Sequence, residues 1–300
     1  MAGYAETKNI YQNNITTACC RTRFARRRHR PLSFFNSKEE SMNKYLIEKQ
    51  EGKPRLFRIA KIEEFVELAT WISSDGQVVF RGQRRDQPLI PSIGRDKEFK
   101  RWFYVEKEIF EEFKREAFPY LEFSPQNDWQ WLSVAQHKRL PTRLLDWTKN
   151  PLVALWFTVC SPAYEERPGI VWAYIYEAKD TISSTAYLPS TLSSPFNIDR
   201  TYLYFPEHIF PYIQAQSGVF TIHHRQTEYN EFVPFEDIKD ADLLLSKIEI
   251  PADAFPTIRY HLFRLGITPS SLFPGISGLV ERIKYVNEPC KDEIKWTEKT

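Results

Sequence analysis

The sequence feature that most constrains the fold is a stretch, residues 131–158, in which a proline and several polar residues interrupt two apolar patterns. A helix capped by Asn127 should end before Pro141, because proline disfavours helical geometry at the residue that precedes it. Pro151 suits the first turn of a second, buried helix, and the chain between the helices should be extended. The stretch therefore predicts a polar segment held at both ends by helices, which is a favoured place for binding chemistry.

The polar side chains of this segment are candidate site residues, because an ordinary core helix would not carry so many of them. They are Gln136, His137, Thr142, Arg143 and Asp146. A structural role stays open for Asp146, whose carboxylate could pair with Arg143 or cap the following helix. Upstream, Arg81 ends a β-branched strand and precedes Gly82, so its guanidinium projects where a ligand can come close. A pairing of Arg81 with an acidic neighbour is the structural alternative.

Periodicity along the chain predicts an α+β fold of mixed, largely antiparallel sheets flanked by helices. Alternation predicts strands at 77–82, 169–176, 217–223 and 243–250, and helical patterns lie at 96–120, 207–214, 252–265 and 271–285. Residues 91–95 should be a loop, and the Ser-rich residues 179–206 predict a long loop that serves as a lid or binding element. In the last helix the residues expected to face the core are Phe273, Ile276, Leu279, Val280 and Ile283.

Composition and charge exclude several classes of function. The 41 basic and 39 acidic side chains give a net charge of +2, which argues against a nucleic-acid footprint over the whole surface but leaves a local patch open. No apolar run approaches the roughly 18 residues of a membrane span, so no membrane association is expected. The four cysteines lack the paired spacing of a zinc site, which favours a reducing cytoplasm.

The predicted domain organisation is a basic, disordered tail at residues 1–40, a single globular domain at 41–290 and a charged tail at 291–300. Six arginines and a histidine lie within residues 21–30, and such like-charge runs usually stay solvated. Two further interpretations of this segment stay open. The segment is either translated sequence upstream of a translation start at Met42 or an arm that binds phosphate.

Motifs that cradle phosphates or activate nucleophiles are missing from the sequence. There is neither a G-x-G-x-x-G nor a Walker sequence, and neither G-x-S-x-G nor H-E-x-x-H occurs. With only 10 glycines in the chain, bound phosphates would have to be held by side chains such as arginine. His223 and His224 are adjacent in a predicted strand and point to opposite faces, so no metal site is expected.

Four separated segments resemble the FRG domain family, which is named for a Phe-Arg-Gly tripeptide. They are residues 78–83, which contain Phe80, Arg81 and Gly82, and residues 136–157, 214–223 and 265–274. These segments follow one another in the family's order over roughly residues 60–285. By this resemblance the chain is identified as a member of the FRG domain family.

The candidate site residues together are similar to the three motifs of ADP-ribosyltransferases, which implies a fold of that kind and NAD as co-substrate. In this resemblance Arg81 holds a phosphate, or the ribose next to nicotinamide, by charge-assisted hydrogen bonds. Thr142 supplies a hydroxyl beside that ribose. Gln214 or Gln216 lies where the third motif is expected.

The departure from that family is the third motif, which normally supplies a glutamate to stabilise positive charge at the ribose carbon. Asp146 is one substitute, with His137 as the base, and Glu228 is another. The resemblance implies five catalytic residues, namely Arg81, His137, Thr142, Asp146 and Gln214. It implies cofactor binding by Arg81, Gly82, Gln136, Thr142, Arg143 and Gln216.

The implied function is an NAD-dependent ADP-ribosyltransferase that modifies a nucleic acid or a protein. The setting that the resemblance implies is a toxin or a phage-defence effector, with an antitoxin or a chaperone as partner. Two alternatives stay open. One is a module that binds a nucleotide or nucleic acid without catalysis, and the other is a protein-interaction scaffold.

Overall fold

The computed structural model describes residues 42–95, 105–183, 194–225, 232–288 and 290–293. Its strands are β1 (Leu46–Glu48), β2 (Arg55–Arg58), β3 (Gln77–Gln83), β4 (Leu144–Thr148), β5 (Gly169–Tyr176), β6 (Thr181–Ser183), β7 (Tyr202–Phe205), β8 (Gly218–Ile222) and β9 (Leu245–Ile250). Its helices are α1 (Ile62–Ile72), α2 (Ser92–Arg95), α3 (Glu106–Ala117), α4 (Asp128–His137), α5 (Pro151–Val159), α6 (Pro211–Ala215), α7 (Ala241–Leu244), α8 (Phe255–Arg264), α9 (Pro269–Leu272) and α10 (Ile276–Asn287).

The strands of the described residues form one sheet in the order β1-β2-β9-β5-β3-β4-β8-β7-β6. Neighbouring strands are antiparallel except in the pairs β2–β9 and β6–β7, which are parallel. Helices flank this mixed sheet. The predicted α+β class is therefore confirmed, with one continuous sheet where several were expected.

The sheet has a weak junction between β3 and β4. In the described ladder these strands pair at one position, Phe80 opposite Thr148. By contrast, β3 pairs with β5 along the whole of Gln77–Gln83, and β4 pairs with β8 along Leu144–Thr148. Two well-paired halves of the sheet thus meet at a short seam, which leaves side chains near it free to line a cleft.

Strand β3 is buried on both faces, as its alternation predicts. Phe80 belongs to a core formed with helices α1, α5 and α8, and Val78 packs against the same core. Val79 points the other way, into a core that includes Trp147 and Tyr174. Arg81 follows Val79 by two residues and so emerges on the Val79 side, at the seam.

Gly82 lies where helix α5 crosses strand β3. A Cβ atom at this position would lie 1.9 Å from the carbonyl oxygen of Ala154 and 2.7 Å from Oγ1 of Thr158. Only glycine therefore lets the backbone of the helix approach the strand so closely. The glycine of the Phe-Arg-Gly tripeptide serves helix–sheet packing, which in turn fixes the strand that carries Arg81.

Two predicted loops contain regular structure. The segment 179–206 holds the short strands β6 and β7, which pair in parallel at the edge of the sheet, while residues 184–193 lie outside the described residues. Residues 91–95 include helix α2 rather than a loop alone. Of the helix predicted at 96–120, α3 is described, and residues 96–104 lie outside the description.

The helix predicted at 271–285 is wrong in two respects. A break separates α9 from α10, and within it Gly275 has a φ of 118°. Helix α10 then packs through Gly278, where a Cβ atom would lie 2.0 Å from the carbonyl oxygen of Phe273. The apolar stripe lies on the opposite side of the helix and faces solvent, with Ile276 74% and Ile283 47% exposed. Phe273, Leu279 and Val280, also expected in the core, are exposed too.

The predicted tails are described only in part. Residues 1–40 lie outside the described residues, and so does Glu228. Within 291–300 only 291–293 are described, and there Asp292 and Glu293 contact the buried Arg259 at 3.0 and 2.7 Å. Among the helices that the structure describes, none combines the length and apolarity needed to cross a membrane.

Candidate functional site

A cavity of about 630 Å³ opens at the seam between β3 and β4. This volume falls within the roughly 300–1,000 Å³ of small-molecule sites. Its polar lining comes from Arg81, Ser92, Ser133, Gln136, His137, Arg139, Asp146, Thr148, Tyr212 and Gln216. The cavity thus unites the Phe-Arg-Gly strand with the proline-broken segment and with helix α6.

A second, larger cavity of about 1080 Å³ lies along helix α3. Its lining is mainly apolar, with Ile109 and Phe113 on α3 and Leu140 beyond the end of α4. It contains none of the site residues predicted from the sequence. The convergent polar groups that mark a binding site are in the smaller cavity.

Arg81 crosses the seam and binds the backbone of the next strand. Its Nη1 donates to the carbonyl oxygen of Asp146 at 2.7 Å, and the same nitrogen lies 3.9 Å from the Asp146 carboxylate. Burial lowers the pKa of Arg81 to about 10, and the charge of Asp146 partly opposes that shift. The guanidinium therefore remains charged near neutral pH. Its Nε is buried and has no hydrogen-bond partner among the described residues.

Gln136 connects two of the predicted site residues. Its Oε1 accepts a 2.6 Å hydrogen bond from the hydroxyl of Thr142, and its Nε2 donates to both carboxylate oxygens of Asp146 at 3.1 and 3.2 Å. Thr142 is only 2% exposed and also accepts from the backbone N–H of Leu144. Thr142 thus orients Gln136 from behind the cavity wall, and Gln136 in turn orients Asp146.

Asp146 presents its carboxylate at the mouth of the cavity. Its side chain is 61% exposed, although its neighbours on β4 are buried. Among the lining residues that the structure describes, Asp146 carries the sole carboxylate. The cavity therefore has a negative charge, on Asp146, beside the positive charge of Arg81.

The rings of His137 and Tyr212 form one wall of the cavity, and the ring of Phe210 packs against both. The ring centroid of His137 lies 4.2 Å from that of Phe210 and 4.2 Å from that of Tyr212. Burial lowers the pKa of His137 to about 4, with smaller contributions from the charges of Lys138 and Arg139. The imidazole is therefore neutral at physiological pH and a weak base, better suited to stacking than to proton transfer.

The sequence profile of the FRG domain matches residues 76–167. This chain contains an FRG domain. The matched segment carries Arg81, Gln136 and Asp146, and it ends before Tyr212. No curated protein and no solved structure matches the chain.

Besides Thr142, which lies behind the cavity wall, two further predicted site residues do not line the cavity. Arg143 is 5% exposed and forms a buried ion pair with Glu106, in which Nε and Nη2 donate at 2.9 and 2.5 Å. Gln214 is exposed on α6 and does not line the cavity. Arg143 therefore has a structural role, and Gln214 does not contribute to the cavity lining.

Gln216 lines the cavity, but its polar groups have partners. Its Nε2 donates to the carbonyl oxygen of Leu272 at 3.1 Å, and its own carbonyl accepts from the hydroxyl of Thr148 at 2.6 Å. Gln216 therefore ties helix α9 to the FRG site. Gly82 also lines the cavity, where its backbone forms part of the wall.

Tyr212 and Arg139 also line the cavity, although they were not among the site residues predicted from the sequence. Tyr212 follows Phe210-Pro211 and lies two residues before the third FRG-like segment, yet an aromatic residue in that context is usually assigned to the core. Arg139 lies two residues after the end of helix α4 and two residues before Pro141. Its φ of 66° is in the left-handed region. Its position two residues before Pro141 is the sequence signal that could have identified it.

Proposed function

We propose that the FRG domain binds NAD in the cavity at the β3–β4 seam and transfers its ADP-ribose to a macromolecular acceptor. The observation that carries this proposal is the convergence of Arg81 and Asp146 on one cavity, although 65 residues separate them in sequence. The cavity offers a cation, a carboxylate and an aromatic wall together. These are the groups that an anionic dinucleotide with a cleavable glycosidic bond requires.

Positive charge in the cavity suits the diphosphate of NAD. Arg81 and Arg139 line the cavity, and Arg95 is near enough for its charge to contribute to the lowered pKa of Arg81. A guanidinium can donate two parallel hydrogen bonds to a phosphate. Side chains can therefore hold the diphosphate in a site that has no glycine-rich loop.

The aromatic wall suits a heterocyclic ring of the same ligand. The rings of His137 and Tyr212 line the cavity beside its polar residues, and Phe210 packs against both rings. Because the imidazole is neutral, stacking of a flat ring on it requires no desolvation of a charge. We therefore assign His137 to ring binding rather than to the base role expected from its sequence position.

The transfer step places Asp146 beside the reacting ribose carbon. The bond between that carbon and nicotinamide breaks with its electron pair leaving on nicotinamide, and a lone pair of the acceptor forms the new bond. The Asp146 carboxylate stabilises the positive charge that develops at the carbon. The acceptor's proton passes to Asp146 or to water, since the low pKa of His137 makes it a poor base.

A second candidate function is binding without turnover. It is favoured by one observation: the carboxylate of Asp146 already accepts two hydrogen bonds from Gln136 and lies 3.9 Å from Arg81. A carboxylate held in this way is less available to a reacting carbon. In that case the same arginines would hold a nucleotide or nucleic acid as a ligand.

Nicotinamide release from labelled NAD separates the two candidates. For the transferase we expect release by the wild type and a loss of about 100-fold or more in Asp146→Asn, with NAD affinity changed by only a few fold. Asp253→Asn, an exposed aspartate outside the cavity, serves as the matched control. NAD binding by the wild type without release, in the presence of protein and RNA acceptors, would support the binding module instead.

A further inference from the structure

Two buried polar atoms in the cavity have no hydrogen-bond partner among the described residues. They are Nε of Arg81 and the hydroxyl oxygen of Tyr212. Nearly all buried polar groups in proteins are paired, and an exception calls for an explanation. Both atoms belong to side chains that line the same cavity, so a ligand group there is the explanation that accounts for both.

The chemistry of the two atoms defines what they would bind. Arg81 Nε–H can only donate a hydrogen bond. The Tyr212 hydroxyl also acts as a donor, because burial raises its pKa and the neighbouring charge of Asp146 raises it further. Two donors beside a guanidinium charge select an oxygen acceptor that carries negative charge.

The fold fixes the ring of Tyr212 and leaves its hydroxyl unused. Pro211 begins helix α6, which places Tyr212 in the first turn of a rigid element. The ring then stacks on His137 at 4.2 Å with an interplanar angle of 29°, and Phe210 completes the cluster. Aromatic contacts therefore hold the side chain, and the hydroxyl has no hydrogen-bond partner among the described residues.

We propose that the Tyr212 hydroxyl and Arg81 Nε donate hydrogen bonds to the diphosphate of the bound dinucleotide, which makes Tyr212 a ligand-binding residue of this site. The assignment rests on the proposed function for the identity of the ligand. It adds a residue outside the segment that the FRG domain profile matches. It also predicts that the Tyr212 hydroxyl favours ligand binding but does not stabilise the unliganded fold.

The test is Tyr212→Phe, which retains the ring and removes only the hydroxyl. Since the hydroxyl is unpaired without ligand, the unfolding midpoint of the unliganded variant should equal or exceed that of the wild type. The Kd values for NAD and for ADP-ribose should each rise about tenfold. Adenosine, which lacks the diphosphate, should bind both proteins alike.

Tyr202→Phe is the matched control. Its hydroxyl donates a 2.7 Å hydrogen bond to Asp199, and Tyr202 does not line the cavity. Removing this paired hydroxyl should lower the unfolding midpoint and leave the Kd values for NAD and ADP-ribose unchanged. The two tyrosines should thus show opposite patterns.

A lowered unfolding midpoint in Tyr212→Phe, or Kd values for NAD and ADP-ribose equal to those of the wild type, would overturn the inference. An equal loss of adenosine affinity would also overturn it, because the contact would then lie on the nucleoside. If the variant weakens NAD binding while the wild type never releases nicotinamide, the inference stands and the transferase proposal fails. Absence of NAD and ADP-ribose binding by the wild type contradicts both.

Discussion

Nη1 of Arg81 donates a 2.7 Å hydrogen bond to the backbone carbonyl oxygen of Asp146, so a side chain of β3 occupies a main-chain acceptor of β4. This contact lies next to the single paired position between the two strands. It joins the two halves of the sheet where their ladder is shortest, and it holds the Asp146 backbone at the edge of the cavity. The arginine of the Phe-Arg-Gly tripeptide therefore has a structural role and a binding role in the same place.

Arg81→Lys should weaken NAD binding at least about tenfold, because lysine keeps the charge but loses the planar fork that binds phosphate. Loss of the hydrogen bond to Asp146 should also lower the free energy of unfolding by about 1 kcal/mol. Calorimetry with NAD and urea unfolding measure the two effects. Arg84→Lys is the control, since Arg84 donates to the carbonyl of Pro162 outside the cavity. Equal NAD affinity in the two variants would refute a special role for Arg81.

Gly82→Ala should destabilise the protein by about 3 kcal/mol or more, since its Cβ would lie 1.9 Å from a backbone oxygen of α5 that cannot rotate away. Gly218→Ala in β8 is the control, because its nearest neighbour, the carbonyl oxygen of Ile213, lies 3.5 Å from the added atom. Urea unfolding of both variants checks the difference. Similar midpoints would show that the close approach of α5 to β3 is misplaced.

Glu106→Gln should lower the free energy of unfolding by about 3–5 kcal/mol, because it leaves the charge of Arg143 buried without its partner. Binding of NAD by the folded fraction should not change, since neither residue lines the cavity. Glu116→Gln, in an exposed pair with Arg115, should cost less than about 1 kcal/mol. A selective loss of NAD affinity in Glu106→Gln would instead indicate that Arg143 contributes to NAD binding.

His137 should stay neutral in the native protein down to about pH 4. In the unfolded chain, by contrast, the imidazole should become protonated near pH 6.5. Because the folded pKa is the lower one, the stability linked to this residue is complete above about pH 6.5 and declines as the pH falls toward 4. His223, with a pKa lowered to about 3 by burial, adds to the decline in the same direction. An NMR titration of the imidazole protons measures the His137 value directly. A midpoint near 6.5 would contradict the buried, ring-stacked placement.

The central part of the fold could be predicted because local signals agree there. The side chain of Asn127 accepts from the N–H of Gln130 and caps α4, as its residue type indicates, and Pro151 begins α5. The strand at 77–82 alternates between two cores, which a period of two conveys. The convergence of Arg81 and Asp146 was implied by resemblance, and no local pattern encodes it.

The remaining errors have three different physical causes. Arg143 is held by Glu106, 37 residues earlier, so the motif that contains Arg143 carries no sign that its charge is already neutralised. The stripe on α10 is amphipathic, but the pattern does not tell which side meets the core. There Gly278, rather than Ile283, makes the close contact. The strands β6 and β7 are three and four residues long, too short for alternation to stand out.

The most direct test is a crystal structure of the protein with ADP-ribose. We expect the diphosphate in the cavity at the β3–β4 seam, within hydrogen-bond distance of the Arg81 guanidinium and the Tyr212 hydroxyl. We also expect the ribose that would carry nicotinamide next to the Asp146 carboxylate. ADP-ribose bound elsewhere, or an Arg81 that keeps its Asp146 contact while the ligand touches neither residue, would contradict it.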